Sequence, residues 1–183
     1  AMARGIAHQY KCLRIVRHQL LEDPRVPCTS KNGSASLALQ PRRGEWDITA
    51  LAALAAELRR LMAADFVEGR DPGLCVAAHV PGEVIEFGYQ CQRRLVTQQQ
   101  ARDTASRCRV FLDGLGGTRD GVIGALAAVG LAAGNGGGRV VSWGEWPDDL
   151  SGCQPIAIDR LPLGTEEGTT ETPNPVSLNC VGR

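Results

Sequence analysis

Three aspartates with glycine neighbours, Asp71, Asp113 and Asp120, are the residues of this chain whose type and spacing suit the capture of a small cation. Two of them lie in or beside the stretch VFLDGLGGTRDGVIGALAAVGL at Val110–Leu131. There a short apolar run ends in Asp113, and a loop with four glycines in eight residues follows (Gly114, Gly116, Gly117, Gly121). An apolar, Ala-rich helical pattern begins near Val122. Glycines let a backbone come close to a ligand. The free N–H groups of a helix start attract anions, whereas carboxylates attract cations. Asp71 belongs to a second such element, Asp71-Pro72-Gly73, just ahead of an apolar run. The candidate ligand-binding residues are therefore Asp71, Gly73, Asp113, Gly116, Gly117, Asp120 and Gly121. The plain structural alternatives are a glycine turn that only packs helix on strand, and an Asp-Pro-Gly turn whose carboxylate bonds its own backbone.

Other chemistries fit less well. A phosphate-gripping Walker loop ends in Gly-Lys-Ser/Thr, but Gly121 is followed by Val122 and Ile123. The dinucleotide fingerprint needs a third glycine where Arg119 stands. Cys28-Thr29-Ser30-Lys31 places a thiol beside a cation without a nearby histidine, and His8, His18 and His79 form no triad pattern. Glu83 and Glu86 share one face of an expected helix and read first as a solvated pair. No catalytic residue and no cofactor are assigned. The seven cysteines (Cys12, Cys28, Cys75, Cys91, Cys108, Cys153, Cys180) contain no CxxC pair and no zinc spacing. Their odd number, and the lack of an apolar signal segment, suggest reduced thiols, a cytoplasmic setting and no bound metal.

The elements that must position these residues follow from periodicity. Asp47 is a good N-cap for a helix to Ala64, with Ile48, Leu51, Leu54, Leu58, Leu61 and Met62 as its apolar stripe. Leu74–Val80 suggests a strand, and Pro81 starts a helix toward Leu95. The capping-box spacing of Thr97 and Gln100 starts another helix over Gln98–Cys108. Val110–Leu112 is a strand, Val122–Ala132 a helix, and Arg139–Trp143 a further strand. Residues 1–36 look irregular except for a strand around Leu13–Val16, and Ala35–Leu39 suggests another. Ile156–Leu163 suggests an edge strand, and residues 164–183 a loop or tail.

At 183 residues with 43% apolar and 22% charged content, one domain is expected over residues 1–163. The formal net charge is zero, which removes any global pull toward nucleic acid or anionic membrane. Residues 1–43 nevertheless hold eight Lys/Arg against Glu22 and Asp23. A solvated basic surface explains this better than an RNA-binding arm, since aromatic stacking partners are scarce. No apolar run is long enough for a membrane span.

Two segments resemble a known family. Asp71-Pro72-Gly73-Leu74-Cys75-Val76-Ala77 and GVIGALAAVG at Gly121–Gly130 resemble parts of archaeal tRNA-isoleucine agmatidine synthetase, over about residues 66–145. The similar part is that family's ferredoxin-like, agmatine-binding domain. Its OB-fold, zinc ribbon and Asp-rich nucleotide-handling segment have no counterpart here. The resemblance implies an α+β, ferredoxin-like sandwich, with helices packed on a mostly antiparallel sheet. It also implies a pocket for a cationic amine or guanidine metabolite of the agmatine type. The leading expectation is thus a stand-alone small-molecule binding domain. The alternatives are an enzyme of unknown reaction on such a metabolite, a tRNA-associated accessory protein, and a subunit whose glycine-containing helix packs in a homodimer.

Overall fold

A computed structural model of the chain describes residues 2–26, 32–134, 137–143 and 175–179. A short helix α1 (Met2–Gly5) leads into strands β1 (Tyr10–Gln19) and β2 (Gly33–Pro41). Helix α2 (Ile48–Ala64) follows, started by Asp47, whose Oδ1 accepts the Ala50 N–H at 2.7 Å. Strand β3 (Gly73–Val76) and helices α3 (Gly82–Arg93) and α4 (Gln98–Arg107) come next. The Thr97/Gln100 capping box at the start of α4 is fully formed. Strand β4 (Phe111–Gly114), helix α5 (Gly121–Ala133), strand β5 (Arg139–Trp143) and strand β6 (Pro175–Asn179) complete the described elements.

The strands form one six-stranded antiparallel sheet in the order β4-β3-β6-β2-β1-β5. The fold is α+β, with helices packed on an antiparallel sheet as the ferredoxin-like expectation has it. Alternating side chains of β3 separate two cores. Leu74 and Val76 join Leu54, Leu58 and Met62 of α2, together with Leu37, Leu39 and Tyr10. Cys75 points the other way, into a core with Val84 and Phe87 of α3, Ala101 and Ala105 of α4, and the apolar length of α5. Helices thus cover both faces of the sheet. A register shift between Cys12 and Arg14 lets β1 serve both cores. Tyr10 and Cys12 pack with α2, while Leu20 packs with α3 and α5.

Helix α5 is apolar all round because it is enclosed all round. Eleven of its thirteen residues are buried, between the sheet on one side and α3 on the other. Its first turn meets the start of β3 backbone to backbone. A Cβ on Gly121 would overlap the Asp71 carbonyl oxygen, and one on Gly73 would overlap the Gly121 carbonyl. Only glycine at both positions allows this approach.

Three expectations are corrected. The 164–183 segment is more than a tail: Pro175–Asn179 is strand β6, paired with β2 on one side and β3 on the other. Its alternating Val, Ser and Leu matched a strand, but nothing local told of an insertion between distant strands. The strands expected around Leu13–Val16 and Ala35–Leu39 are present but longer than expected, as β1 and β2, because they form a long antiparallel pair. Ile48 lies on the periodic stripe of α2, yet it is 85% exposed, and the stripe meets the core only from Leu51 onward. The strand expected over Ile156–Leu163 lies outside the described residues. No helix among the described residues is long and apolar enough to cross a membrane.

The backbone crossing gives a direct test. Gly121→Ala should lower stability by about 1–3 kcal/mol, the usual cost of overpacking. Gly82→Ala, where a Cβ meets nothing within 4 Å, should be neutral or stabilise by less than about 1 kcal/mol. Urea unfolding of the two variants separates a tight crossing from a general intolerance of alanine.

Candidate functional site

The Gly114–Gly121 loop is folded around the carboxylate of Asp71. Gly114 pairs with Gly73 at the end of the β3–β4 ladder, and the Leu115 N–H donates to the Pro72 carbonyl at 2.9 Å. The chain then turns back through Gly117, at φ +59°, a conformation that favours glycine. A Cβ there would also overlap Asp71 Oδ1. Arg119 adopts a left-handed φ of 67° as well, which turns its N–H toward Asp71 Oδ1 at 3.1 Å. The Thr118 hydroxyl reaches Asp71 Oδ2 on one side and Asp120 Oδ2, at 3.0 Å, on the other.

Helix α4 closes the arrangement from outside. Gln98 Nε2 donates to the Thr118 carbonyl and to Asp120 Oδ1, each at 3.0 Å. Gln98 Oε1 in turn accepts from Arg102 Nε at 3.0 Å. Thr118 and Gln98 were not singled out from sequence. Thr118 falls within a glycine loop, and Gln98 is the first residue after a helix cap.

Two consequences follow from proton counting. First, the place where an external anion would meet the loop N–H groups is taken by the protein's own Asp71 carboxylate. Second, Asp71 and Asp120 each set an oxygen against one hydroxyl, which carries a single proton. One of the two oxygen–oxygen contacts therefore lacks a donor. Among the described residues, no basic side chain forms an ion pair with either carboxylate. Thr118, Arg119 and Asp120 are exposed and Asp71 is half-buried, so the pair is open to solvent.

The sequence-predicted residues do not all converge. Asp71, Gly117 and Asp120 meet directly, and Gly73 and Gly121 form the crossing beneath them. Gly116 packs under the Phe66 ring. Asp113 is engaged elsewhere. Its cross-strand partner is Leu74, whose side chain faces α2, and Asp113 Oδ2 pairs with Arg59 of α2 at 3.1 Å. Strand alternation sends it to the face opposite α5.

Two hollows adjoin these elements. One, of about 180 Å³, lies beside the loop and is lined by Met2, Met62, Asp65, Phe66, Val67, Arg70 and Pro72. The other, of about 470 Å³, is an open groove between α3 and α4 that contains Glu83, Glu86 and Asp103. Glu83 is paired there with Arg107 at 3.1 Å, and both side chains are exposed. Cys28 lies outside the described residues. Among the described residues, no group of three His, Cys, Asp or Glu side chains is placed to hold a metal ion. Cys12, Cys75, Cys91 and Cys108 are free thiols. Burial pushes the Cys91 thiol up to about 12 and the Cys75 thiol higher still.

Comparison with protein-family models and with curated proteins finds no match to this chain.

Two measurements check that geometry. Thr118→Val removes the shared hydroxyl and should lower stability by about 0.5–1.5 kcal/mol, the net worth of one hydrogen bond; Thr118→Ser should restore most of it. In the native protein, Cys75 and Cys91 should react with a disulfide reagent only as fast as the chain unfolds, since burial holds both as thiols. Rapid labelling of both at neutral pH, followed by mass spectrometry, would contradict their placement.

Proposed function

We propose that the protein binds a small cationic amine or guanidine metabolite, agmatine-like in its chemistry, at the Asp71–Thr118–Asp120 cluster. The observation that carries this reading is the missing donor: two carboxylates share one hydroxyl proton and have no basic partner among the described residues. A guanidinium or ammonium supplies N–H donors and positive charge to both oxygens at once. A planar guanidinium suits a carboxylate best, because it donates two parallel hydrogen bonds.

The surroundings are compatible with a short aliphatic chain. Arg70 and Pro72 flank Asp71 in sequence and line the hollow of about 180 Å³, whose apolar wall includes Met62, Phe66 and Val67. Asp65, at the far end of α2, offers a carboxylate to the second charged end of such a ligand. The resemblance to an agmatine-binding domain points to the same ligand class. Asp113 is not part of this reading, since Arg59 already neutralises it.

Agmatine, putrescine, arginine and inorganic phosphate are the discriminating probes. A ligand at a hundred times its dissociation constant should add about 2.7 kcal/mol of stability, visible as a thermal shift. The carboxylates are solvent-accessible, so screening limits each contribution. Asp71→Asn and Asp120→Asn should each weaken agmatine binding about tenfold in calorimetry, or about 1.4 kcal/mol. Asp113→Asn should leave it unchanged. A response to phosphate alone, or equal affinity in all three variants, would overturn the proposal.

A further inference from the structure

A polar cluster sits on the far side of the molecule, on the face of the sheet that α5 covers. His18 of β1 is 1% exposed and Ser34 and Ser36 of β2 are each 2% exposed. His18 Nε2 and Ser36 Oγ lie 2.9 Å apart, in hydrogen-bond contact. Among the described residues, His18 Nδ1 and Ser34 Oγ are buried without a well-formed hydrogen bond, although the Gly137 backbone lies close to the ring. Buried polar atoms left unpaired are costly, and native folds leave few. The cluster is roofed by the entry into β5. A Cβ on Gly138 would lie 2.9 Å from His18 Nδ1, so the glycine backbone rests directly over the ring. Among the described strands, β5 pairs with β1 alone and forms one edge of the sheet. Its pairing with β1 is further burdened by Arg17 and Arg139, placed opposite each other.

We propose that His18 is a pH-sensitive latch under the β5 edge strand. The neutral ring is compatible with the closed roof. A protonated ring carries two N–H donors and a charge. The Ser36 hydroxyl takes one donor and the Gly137 backbone lies within reach of the other, but this does not offset the burial of the charge, which water solvates once Gly137 and Gly138 lift away. Among the described residues, the charged and titratable neighbours are few. Arg14, on the same strand, extends to the Ala132 carbonyl at the end of α5 and repels a second positive charge. Helix α5 and strand β6 contain no titratable side chain, and β2 presents serines. Tyr89 of α3 reaches the same end of α5, where its hydroxyl donates to the Gly134 carbonyl. Burial depresses the imidazole below its ordinary 6.5, the Gly137 backbone opposes this, and Arg14 adds to it.

The unfolded or opened chain binds the proton more tightly than the closed one. The latch is therefore fully closed above pH 6.5 and weakens as pH falls below that value toward the lower pKa of the closed form. The test is amide hydrogen exchange on the full chain at pH 7.5 and 5.5, expressed as protection factors corrected for intrinsic rates. The amides of Val140 to Trp143 should lose protection at the lower pH, by up to about tenfold, or about 1.4 kcal/mol, while Leu74–Val76 keep theirs. In His18→Asn, β5 protection should be the same at both pH values. Unchanged β5 protection in the parent protein, or the same loss in His18→Asn, would overturn the proposal. If His18→Asn does not fold, NMR titration of the His18 ring in the parent protein replaces it. Protonation coincident with β5 opening supports the latch, and β5 opening while His18 stays neutral overturns it.

Discussion

Everything near the candidate site depends on one close approach, where the backbone of Gly73 crosses the first residue of α5 at Gly121. Neither position has room for a side chain. The crossing fixes the depth at which α5 lies against β3. It also fixes where the loop ahead of α5 must turn. Because β3 begins just after Asp71, the same contact holds the Asp71 carboxylate under the loop. The crossing thus converts an Asp-Pro-Gly turn and a glycine loop, far apart in sequence, into one structure. The near-complete burial of α5 supplies the hydrophobic driving force that keeps the approach closed.

The carboxylate pair has a double character. Asp71 organises the loop, accepting the Arg119 N–H and the Thr118 hydroxyl. In that role it is scaffold. It also leaves the pair one donor short, and that deficit is what the proposed cation would fill. A loop that had kept its N–H groups free would attract phosphate; one already closed by a carboxylate presents the opposite charge. The two readings of the glycine loop, structural turn and ligand site, are therefore not exclusive.

Much of the architecture was legible because it is local. Asp47, the Thr97/Gln100 capping box and the apolar stripe of Leu54, Leu58 and Met62 mark helices through short-range contacts. The exclusion of phosphate chemistry from Val122 and Arg119 rested on loop chemistry in the same way. What was not legible is long-range. Pro175–Asn179 finds its place between β2 and β3, about a hundred residues away from the latter, and no pattern within five residues encodes a partner. Asp113 was grouped with the site from its position at a strand end. The alternation of β4, fixed by pairing with β3, turns it to Arg59 instead. Thr118 and Gln98 matter only once α4 and the loop are adjacent in space.

The most direct test of the central claim, that the Asp71–Asp120 pair captures a cation, is a two-dimensional NMR titration with agmatine. The amides of Thr118 and Arg119 and the side-chain amide of Gln98 should shift together and saturate with one midpoint. Shifts confined to Glu83, Glu86 and Asp103 in the groove between α3 and α4, or no shifts at all, would contradict it.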